Sequence, residues 1–282
     1  MVSGLEDCKI LITGGTGSLG NALIPKLSEY NKIIVFSRDE YKQHIMAQKF
    51  SSLPNIRFLI GDVRDLDRLK QAMRGVDIVV HAAALKHIPT AEYNPTEAIK
   101  TNIDGTRNVV DACIECEVKR AVFTSTDKAV APINLYGSTK LTGEKLWLAA
   151  NSYCKTAFRV VRYGNVLNSR GSVIELFMKL KEKGIREFPI TDVNMTRFWI
   201  TLDEAACLVV QAIINDSPYI HIPDIPSMKI TDVARAIDPD CTFKEIGIRE
   251  GEKLHESLSE TFHSNENKNW LTAEELKGKL RL

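Results

Sequence analysis

The sequence predicts an α/β protein built on a doubly wound parallel sheet, with a smaller, discontinuous lobe toward the C-terminus. Short β-branched runs alternate with helical stretches through the first two-thirds of the chain, which is typical of βαβ units. These runs are almost continuously apolar, as expected for strands covered on both faces. After about Val166 the pattern becomes shorter, more irregular and richer in proline, which indicates a second lobe.

The alternation places the predicted elements in order along the chain. Strands are predicted at 9–13, 32–36, 57–60, 78–81, 121–125 and 157–162, and helices near 19–30, 66–73, 95–117, 136–151 and 201–215. Pro25 falls inside the first predicted helix, where it removes a hydrogen bond. We expect a cofactor domain over 1–166, rejoined by about 199–217, and a substrate-binding lobe from 167–198 and 218–282.

Composition and charge exclude several classes of protein. Lysine plus arginine (37) almost equals aspartate plus glutamate (36), so the formal net charge of +1 argues against a nucleic-acid or acidic-membrane partner. Hydrophobic residues at 44% and charged residues at 26% are ordinary for a globular protein. The start carries no signal-peptide pattern and no apolar run approaches the ~20 residues of a membrane span, so a cytoplasmic, non-membrane protein is predicted.

Cysteines and histidines predict neither disulfides nor a metal site. Six cysteines are scattered without a framework spacing, which favours a reducing compartment. Cys113 and Cys116 form a C-x-x-C near the end of a predicted helix, where the helix dipole disfavours a thiolate. Packing is therefore favoured over redox chemistry at these two residues. The six histidines show no metal-ligand spacing, and no metal is expected.

A glycine-rich turn joins the first predicted strand to the first predicted helix. Gly14, Gly17 and Gly20 stand where a dinucleotide-binding fingerprint requires them, so that backbone can approach a pyrophosphate at the helix N-terminus. A tight turn without a ligand is the alternative. The context of strand, turn and helix favours a Rossmann-like nucleotide site, with Thr16, Ser18 and Leu19 as further contacts.

The end of the second predicted strand favours NADP over NAD. Arg38 stands where an acidic residue would hold a free 2'-hydroxyl, and its guanidinium can pair with a 2'-phosphate and stack on adenine. The alternative is a solvated surface arginine beside Asp39. The remaining cofactor candidates lie at the ends of the second to fourth strands and just beyond them: Ser37, Asp39, Lys42, Asp62, Val63, Ala82, Ala83 and Lys86.

Tyr136 and Lys140 form a Y-x-x-x-K pair that opens a helix. This spacing puts both side chains on one helix face, where an ammonium beside the phenol favours the phenolate and gives a base for a hydroxyl proton. Both residues would therefore also contact the nicotinamide end of the cofactor. The pair follows the nucleotide fingerprint and a strand that runs into Thr126-Asp127-Lys128, and here the chain resembles the extended short-chain dehydrogenase/reductase superfamily.

A closer resemblance rests on Asp127-Lys128, since sugar-nucleotide 4,6-dehydratases carry an acid and a base after this threonine. Together with the segments at 82–87, 163–166, 169–172, 195–199 and 249–255, the pair makes the chain similar to the UDP-N-acetylglucosamine 4,6-dehydratase family over essentially its whole length. Tyr136 stands where configuration-retaining members carry methionine, and it is similar to the soluble inverting members of the pseudaminic acid pathway.

The resemblance implies a hydro-lyase mechanism. Tyr136, assisted by Lys140 and Thr126, takes the proton from the carbon 4 hydroxyl while NADP+ accepts the hydride. Lys128 then removes the carbon 5 proton, protonated Asp127 donates to the departing carbon 6 hydroxyl, and hydride returns to carbon 6. Lys128 needs burial or a cationic neighbour to act as a base, and we expect Lys140 and the nicotinamide to supply that positive field. A solvated ion pair is the alternative interpretation of Asp127 and Lys128.

The same resemblance implies UDP-N-acetylglucosamine as substrate and a homo-oligomer as the assembly. The candidate substrate-binding residues are Lys86, Asn165, Val166, Arg170, Arg197, Arg249 and Glu252, with the cations near the UDP phosphates and uridine and Glu252 accepting from ribose. Two other functions stay open. A UDP-sugar 4-epimerase would use the same tyrosine and lysine but would not need Asp127 and Lys128, and an NADP-binding regulator would use the fold without turnover.

Overall fold

A computed structural model of the protein describes residues 5–29, 31–167 and 171–280. Its strands are β1 Lys9–Thr13, β2 Lys32–Ser37, β3 Ile56–Ile60, β4 Ile78–His81, β5 Arg120–Thr126, β6 Ala157–Tyr163, β7 Asn165–Val166, β8 Glu187–Ile190, β9 Thr196–Ile200, β10 Ile220–His221, β11 Ser227–Lys229, β12 Thr242–Glu245, β13 Ser257–Ser259 and β14 Phe262–His263. Its helices are α1 Ser18–Leu27, α2 Glu40–Lys49, α3 Leu66–Met73, α4 Ile88–Tyr93, α5 Pro95–Ile99, α6 Gly105–Glu115, α7 Leu135–Ala149, α8 Val173–Glu182, α9 Leu202–Ile214, α10 Ile230–Ile237 and α11 Ala273–Leu280.

Seven strands form one parallel sheet in the order β10-β6-β5-β4-β1-β2-β3. The strand order reverses between β1 and β4, and the carboxyl ends on either side of that point open a crevice where ligands bind in doubly wound sheets. The predicted Rossmann-like fold class is confirmed. Strand β10 begins at Ile220, so this part of 218–282 pairs with β6 in the large sheet although the sequence assigned it to the lobe.

Apolar side chains cover both faces of the sheet. Phe123, Trp147 and Phe158 belong to the core on one face, and Ile12 and Val209 to the core on the other. Because strands β1, β2, β4, β5 and β6 are buried on both sides, their sequences read as continuous apolar runs. A separate core lies among β8, β9, α8, α10 and α11 and includes Phe177, Phe188 and Trp199.

Two helices depart from the sequence-based expectation. The helix predicted over 95–117 is interrupted by a π-helical turn, Lys100–Asp104. In this turn the Asn102 side chain accepts from the Leu85 N–H at 2.8 Å and donates to the Leu85 carbonyl at 2.9 Å, which fixes the loop after β4. The first helix ends at Leu27, two residues after the exposed Pro25, and the predicted continuation to residue 30 is wrong for residues 28 and 29; residue 30 lies outside the described residues.

Cys113 is a packing residue, as the position of the C-x-x-C near a helix end predicted. Its side chain is fully buried against Met73, and burial raises the pKa of the thiol well above its ordinary value. All six cysteines are unpaired. Across the described part of the chain, every helix is too short or too polar to cross a membrane.

Candidate active site

A cleft of about 890 Å³ lies at the carboxyl ends of the sheet strands, and the lobe closes its other side. Most predicted site residues line it. On the cofactor side these are Gly14, Thr16, Gly17, Ser18, Leu19, Ser37, Arg38, Asp39, Lys42, Asp62, Val63, Ala82, Ala83 and Lys86, and on the reaction and substrate side Thr126, Lys128, Tyr136, Lys140, Asn165, Val166, Arg197, Arg249 and Glu252. Gly20 and Asp127 are buried and do not line the cleft, although both sequence neighbours of Asp127 do. Arg170 lies outside the described residues.

The glycine-rich turn is shaped for backbone approach. Gly14 has a φ of +63°, and a Cβ there would lie 2.8 Å from the Cα of Ala83. A Cβ on Gly20 would collide with the backbone of Gly15, so Gly20 serves the packing of the helix on the turn. Within the described part of the chain no side chain caps the N-terminus of α1, which begins directly after Gly17. The unpaired N–H groups and the small residues fit a dinucleotide pyrophosphate.

Two carboxylates near the adenine end of the cleft already have partners. Asp39 caps α2 through the Lys42 N–H at 2.9 Å and contacts the Lys42 Nζ at 2.7 Å, and this side-chain contact lowers the pKa of its carboxyl. Asp62 contacts the Arg64 guanidinium at 2.6 Å. Arg38 lies 3.5 Å from Asp62 and its side chain is 52% exposed, so its guanidinium remains accessible to a ligand.

Asp127 and Lys128 form a buried ion pair at the carboxyl end of β5, which excludes the interpretation of a solvated surface pair. Lys128 Nζ donates to Asp127 Oδ1 at 3.0 Å, and the Thr126 hydroxyl donates to the same oxygen at 2.8 Å. Asp127 is fully buried, and its Oδ2 has no hydrogen-bond partner among the described residues. Asn165 Oδ1 accepts from Lys128 Nζ at 3.4 Å.

The sequence led us to expect positive charges around Lys128, but the structure places two carboxylates, Asp127 and Glu256, next to it. Burial works to lower the pKa of Lys128, but the charges of Asp127 and Glu256 outweigh it and the pKa is raised. Lys128 is therefore an ammonium in this arrangement. Lys128 in turn acts on Lys86, whose pKa is lowered first by burial and then by the Lys128 charge.

Tyr136 and Lys140 share a face of α7 but differ from the expected phenolate–ammonium pair. Burial and then the Asp127 charge raise the pKa of Tyr136, while a hydrogen bond with Thr126 acts to lower it. Burial lowers the pKa of Lys140 to about 7, against the opposing charge of Glu144. The Lys140 Nζ lies 3.7 Å from the centroid of the Phe123 ring, a cation–π contact.

Two further residues of the cleft were not among the sequence-based candidates. Tyr163 lines the cleft beside Tyr136 and bonds to Thr124, and burial raises its pKa. Glu256, 3% exposed, lies with Oε1 3.5 Å from Lys128 Nζ. Tyr163 was part of a recognised motif, but Glu256 follows the last recognised motif by one position and only the fold brings it to Lys128.

The segment 249–256 forms the lobe side of the cleft and is tied to the sheet domain. Asn134 caps α7 and donates to the Gly251 carbonyl at 2.7 Å, and Lys253 Nζ donates to the Val130 carbonyl at 2.6 Å. Arg197 donates to the Lys253 carbonyl at 2.8 Å and is 5% exposed. Arg197 lines the cleft, but its guanidinium donates mainly to backbone carbonyl groups.

Glu252 and Arg249 occupy different positions on this segment. Glu252 accepts from the Thr191 hydroxyl at 3.3 Å and lies 4.0 Å from Arg197. Arg249 is exposed at the mouth of the cleft. A cationic side chain at the mouth and a partly buried carboxylate inside are compatible with an anionic ligand that carries hydroxyl groups.

A family model described as polysaccharide biosynthesis protein matches residues 10–275. The chain belongs to this family. Within it, the chain is 55% identical over 260 residues to a protein from Campylobacter jejuni subsp. jejuni named UDP-N-acetylglucosamine 4,6-dehydratase (inverting), covering 88% of this chain and 76% of that protein. A Rickettsia akari protein of 43% identity over 266 residues, covering 89% of this chain and 77% of that protein, is named UDP-glucose 4-epimerase.

Two solved structures share this fold. The X-ray structure of Pen from Bacillus thuringiensis is 35% identical, has a TM-score of 0.91, and covers 98% of both chains. DesIV from Streptomyces venezuelae, a dTDP-glucose 4,6-dehydratase solved with NAD and TYD bound, has a TM-score of 0.81 over 97% of this chain and 96% of its own. At 19% identity, DesIV shows the shared fold alone.

Proposed function

We propose that the protein is a UDP-N-acetylglucosamine 4,6-dehydratase that inverts carbon 5 and forms UDP-2-acetamido-2,6-dideoxy-β-L-arabino-hex-4-ulose. The observation that carries the proposal is the buried Asp127–Lys128 pair beside Tyr136 and Lys140 at the carboxyl end of β5. An epimerase needs the tyrosine and lysine but has no use for an acid and a base at carbons 5 and 6. The 55% identity to a protein of this name supports the same activity.

The cofactor in this proposal is NADP+. The uncapped start of α1 and the Gly14–Ala83 approach fit the pyrophosphate, and the accessible guanidinium of Arg38, 3.5 Å from Asp62, suits a 2'-phosphate. When bound, NADP+ would provide the hydride acceptor for carbon 4 and, in its reduced form, the hydride donor for carbon 6. The positive charge of the oxidised nicotinamide would favour the phenolate form of Tyr136, which burial otherwise opposes.

Tyr136 takes the proton of the carbon 4 hydroxyl. The Thr126 hydroxyl lies beside the phenol and donates its proton to Asp127, while Lys140 lies on the same face of α7 as Tyr136. Because burial lowers the Lys140 pKa to about 7, this lysine can exchange a proton close to neutral pH. It therefore suits the removal of the Tyr136 proton better than a lysine with an ordinary pKa.

Lys128 and Asp127 carry out the elimination after one proton moves between them. The ion pair holds its proton on Lys128, and transfer along the 3.0 Å hydrogen bond leaves a neutral amine and a protonated carboxyl. The amine then takes the carbon 5 proton. Because Asp127 is fully buried beside residues that line the cleft, its carboxyl must turn toward the substrate, where it gives its proton to the carbon 6 hydroxyl, which departs as water. The elimination thus returns the pair to ammonium and carboxylate. As hydride returns to carbon 6, carbon 5 takes up a solvent-derived proton on the face opposite to the one that lost its proton, which inverts this centre. Tyr136 releases the carbon 4 proton, so the protein regains its starting state.

The substrate diphosphate and uridine occupy the lobe side of the cleft in this proposal. Lys86 and Arg249 supply positive charge, Asn165 and Glu252 supply polar contacts, and Val166 supplies an apolar wall. Arg197 supports this side by holding the segment 249–256 in place. We further propose that the enzyme is a cytoplasmic homo-oligomer and that its product enters the synthesis of pseudaminic acid or a related glycan.

The product of UDP-N-acetylglucosamine tests the reaction. We expect mass spectrometry to show the loss of one water and NMR to show a 4-keto-6-deoxy sugar. An isomer of unchanged mass would establish an epimerase instead, and NADP binding without any turnover of UDP-hexoses would indicate a regulator. In heavy water, deuterium should enter at carbon 5 with inverted configuration, whereas retention would contradict the inverting assignment.

Lys128→Ala separates cofactor binding from elimination. We expect the variant to bind NADP+ with the wild-type Kd but to form no dehydrated product. Lys145→Ala, which changes an exposed lysine on α7, serves as the control and should leave product formation at the wild-type rate. Product formation by Lys128→Ala at the wild-type rate would remove Lys128 from the mechanism.

A further inference from the structure

Glu256 is a buried carboxylate that reaches the reaction centre from the lobe. It lies directly before β13, and its Oε1 is 3.5 Å from Lys128 Nζ. Its Oε2 has no hydrogen-bond partner among the described residues and lies 3.7 Å from Lys253 Nζ. A carboxylate with an unsatisfied buried oxygen is costly to keep, which suggests a role beyond packing.

The Lys128 ammonium therefore lies between two carboxylates from different parts of the fold. Asp127 precedes it on the turn after β5, and Glu256 faces it from the lobe. The other charged groups that act on these residues are Arg197 from β9 and Lys253 from the segment 249–256, while the Lys128 charge reaches Lys86 beyond β4.

We propose that Glu256 is a positioning residue that orients Lys128 and stabilises its ammonium as the carbon 5 proton arrives. The relationship is that of a base oriented by a third group. The inference rests on the proposed function, in which Lys128 is that base. Glu256 thus favours the ammonium form of Lys128 that the elimination produces.

The proton steps are balanced with Glu256 as a spectator charge. Lys128 loses one proton to Asp127 and gains one from carbon 5, while Asp127 loses its proton to the departing hydroxyl. Glu256 gains and loses none. Its removal should therefore slow elimination and move the titration of Lys128, without changing how NADP+ binds.

The first measurement does not require turnover. Protein containing lysine labelled with 13C at Cε reports the titration of each amine by NMR, and Lys128→Arg identifies the Lys128 signal by its disappearance. We expect the Lys128 pKa to be highest in the wild type, lower in Glu256→Asp and lowest in Glu256→Gln. The shorter aspartate moves the negative charge away from Lys128, and the glutamine removes it. Glu260→Gln, on an exposed residue beside β13, should match the wild type. If Glu256→Gln does not fold, Glu256→Asp alone decides, and a Lys128 pKa equal to the wild type overturns the inference.

The second measurement is the pH profile of product formation. Glu256→Gln should lower kcat roughly 10- to 100-fold with an almost unchanged KM. Elimination needs the one proton that Asp127 and Lys128 share, so the limb on which activity falls as pH rises should move to lower pH. Glu256→Asp should recover part of the lost kcat. Loss of kcat with an unshifted limb would indicate a merely structural role and overturn the inference. A shifted Lys128 pKa in a protein that forms no dehydrated product would instead contradict the proposed function and leave the placement of Glu256 intact.

Discussion

The side-chain amide of Asn134 donates to the backbone carbonyl of Gly251 over 2.7 Å, while its Oδ1 accepts from the Gly137 N–H to cap α7. One side chain therefore starts the helix that carries Tyr136 and holds the lobe segment opposite it. Gly251 has a φ of +77°, a conformation that favours glycine, so the carbonyl is presented by a turn suited to this residue.

Asn134→Ala should weaken both stability and substrate binding. We expect the free energy of unfolding to fall by about 1–2 kcal/mol, since the helix loses its cap and a carbonyl loses its donor. The KM for the UDP-sugar should rise several-fold. Urea unfolding and initial rates measure the two effects. Asp65→Ala, which removes the cap of α3 far from the lobe, should cost similar stability with an unchanged KM. Equal KM effects in both variants would contradict the link between Asn134 and the lobe.

Arg38→Ala should change the preference between the two nicotinamide cofactors. The Kd for NADP+ should rise roughly 10-fold or more, because a charge-assisted contact with the 2'-phosphate is lost, while the Kd for NAD+ stays within about twofold. Asp62 keeps Arg64 as its partner, so the substitution leaves no unpaired carboxylate. Isothermal titration at one ionic strength measures both constants. Arg107→Ala, at an exposed position on α6, is the control. If the Kd values for NADP+ and NAD+ rise by the same factor, Arg38 contacts the adenine or the pyrophosphate and does not select for the 2'-phosphate.

Lys140 should make stability rise with pH above neutrality. Its pKa is lowered to about 7 in the folded protein, so between pH 7 and its ordinary value of 10.5 the unfolded chain binds more protons. The free energy of unfolding should therefore increase by about 2 kcal/mol from pH 7 to 9 through this group. Lys140→Met should remove that gain, and urea unfolding of the protein without ligands at the two pH values compares the variants. Lys145→Met, on an exposed residue of α7, should keep the wild-type slope.

His81 should make the protein sensitive to acid. It is fully buried between the hydroxyls of Thr13 at 2.7 Å and Thr106 at 3.0 Å, and burial lowers its pKa from 6.5 to about 3. Below pH 6.5 the unfolded chain takes up a proton that the folded protein excludes, so stability falls by about 2 kcal/mol between pH 7 and 5. His81→Gln should show a smaller fall over this interval. His44→Gln, at an exposed position, should behave as the wild type, and an unchanged slope in His81→Gln would contradict the burial effect.

The strands of the large sheet were predictable because burial on both faces leaves a continuous apolar run, as in Ile10, Leu11 and Ile12. Helix α2 escaped prediction because most of its surface is polar and only Gln43 and Met46 are buried. Its start does carry a signal, since Asp39 caps it. The π-helical turn had no such signal, because it depends on the contact of Asn102 with the distant Leu85.

The residues of the candidate reaction centre that lie close together in the sequence were predictable. The contribution from a distant segment was not. Asp127, Lys128, Tyr136 and Lys140 belong to one strand–turn–helix unit, and the structure brings them together as expected. The protonation states were not predictable. They depend on burial and on Glu256, whose distance from Lys128 is fixed only when the lobe docks.

The contacts between segment 249–256 and the sheet domain limit which parts of the enzyme can be exchanged with those of related enzymes. Segment 249–256 bonds to Val130 and Asn134 and carries the carboxylate that faces Lys128. A chimera that takes its lobe from another nucleotide-sugar enzyme would change the sugar contacts and the environment of the base together. Engineering a new sugar preference in this scaffold therefore calls for substitutions that leave 249–256 intact, with the breakpoints of any exchange placed outside that segment.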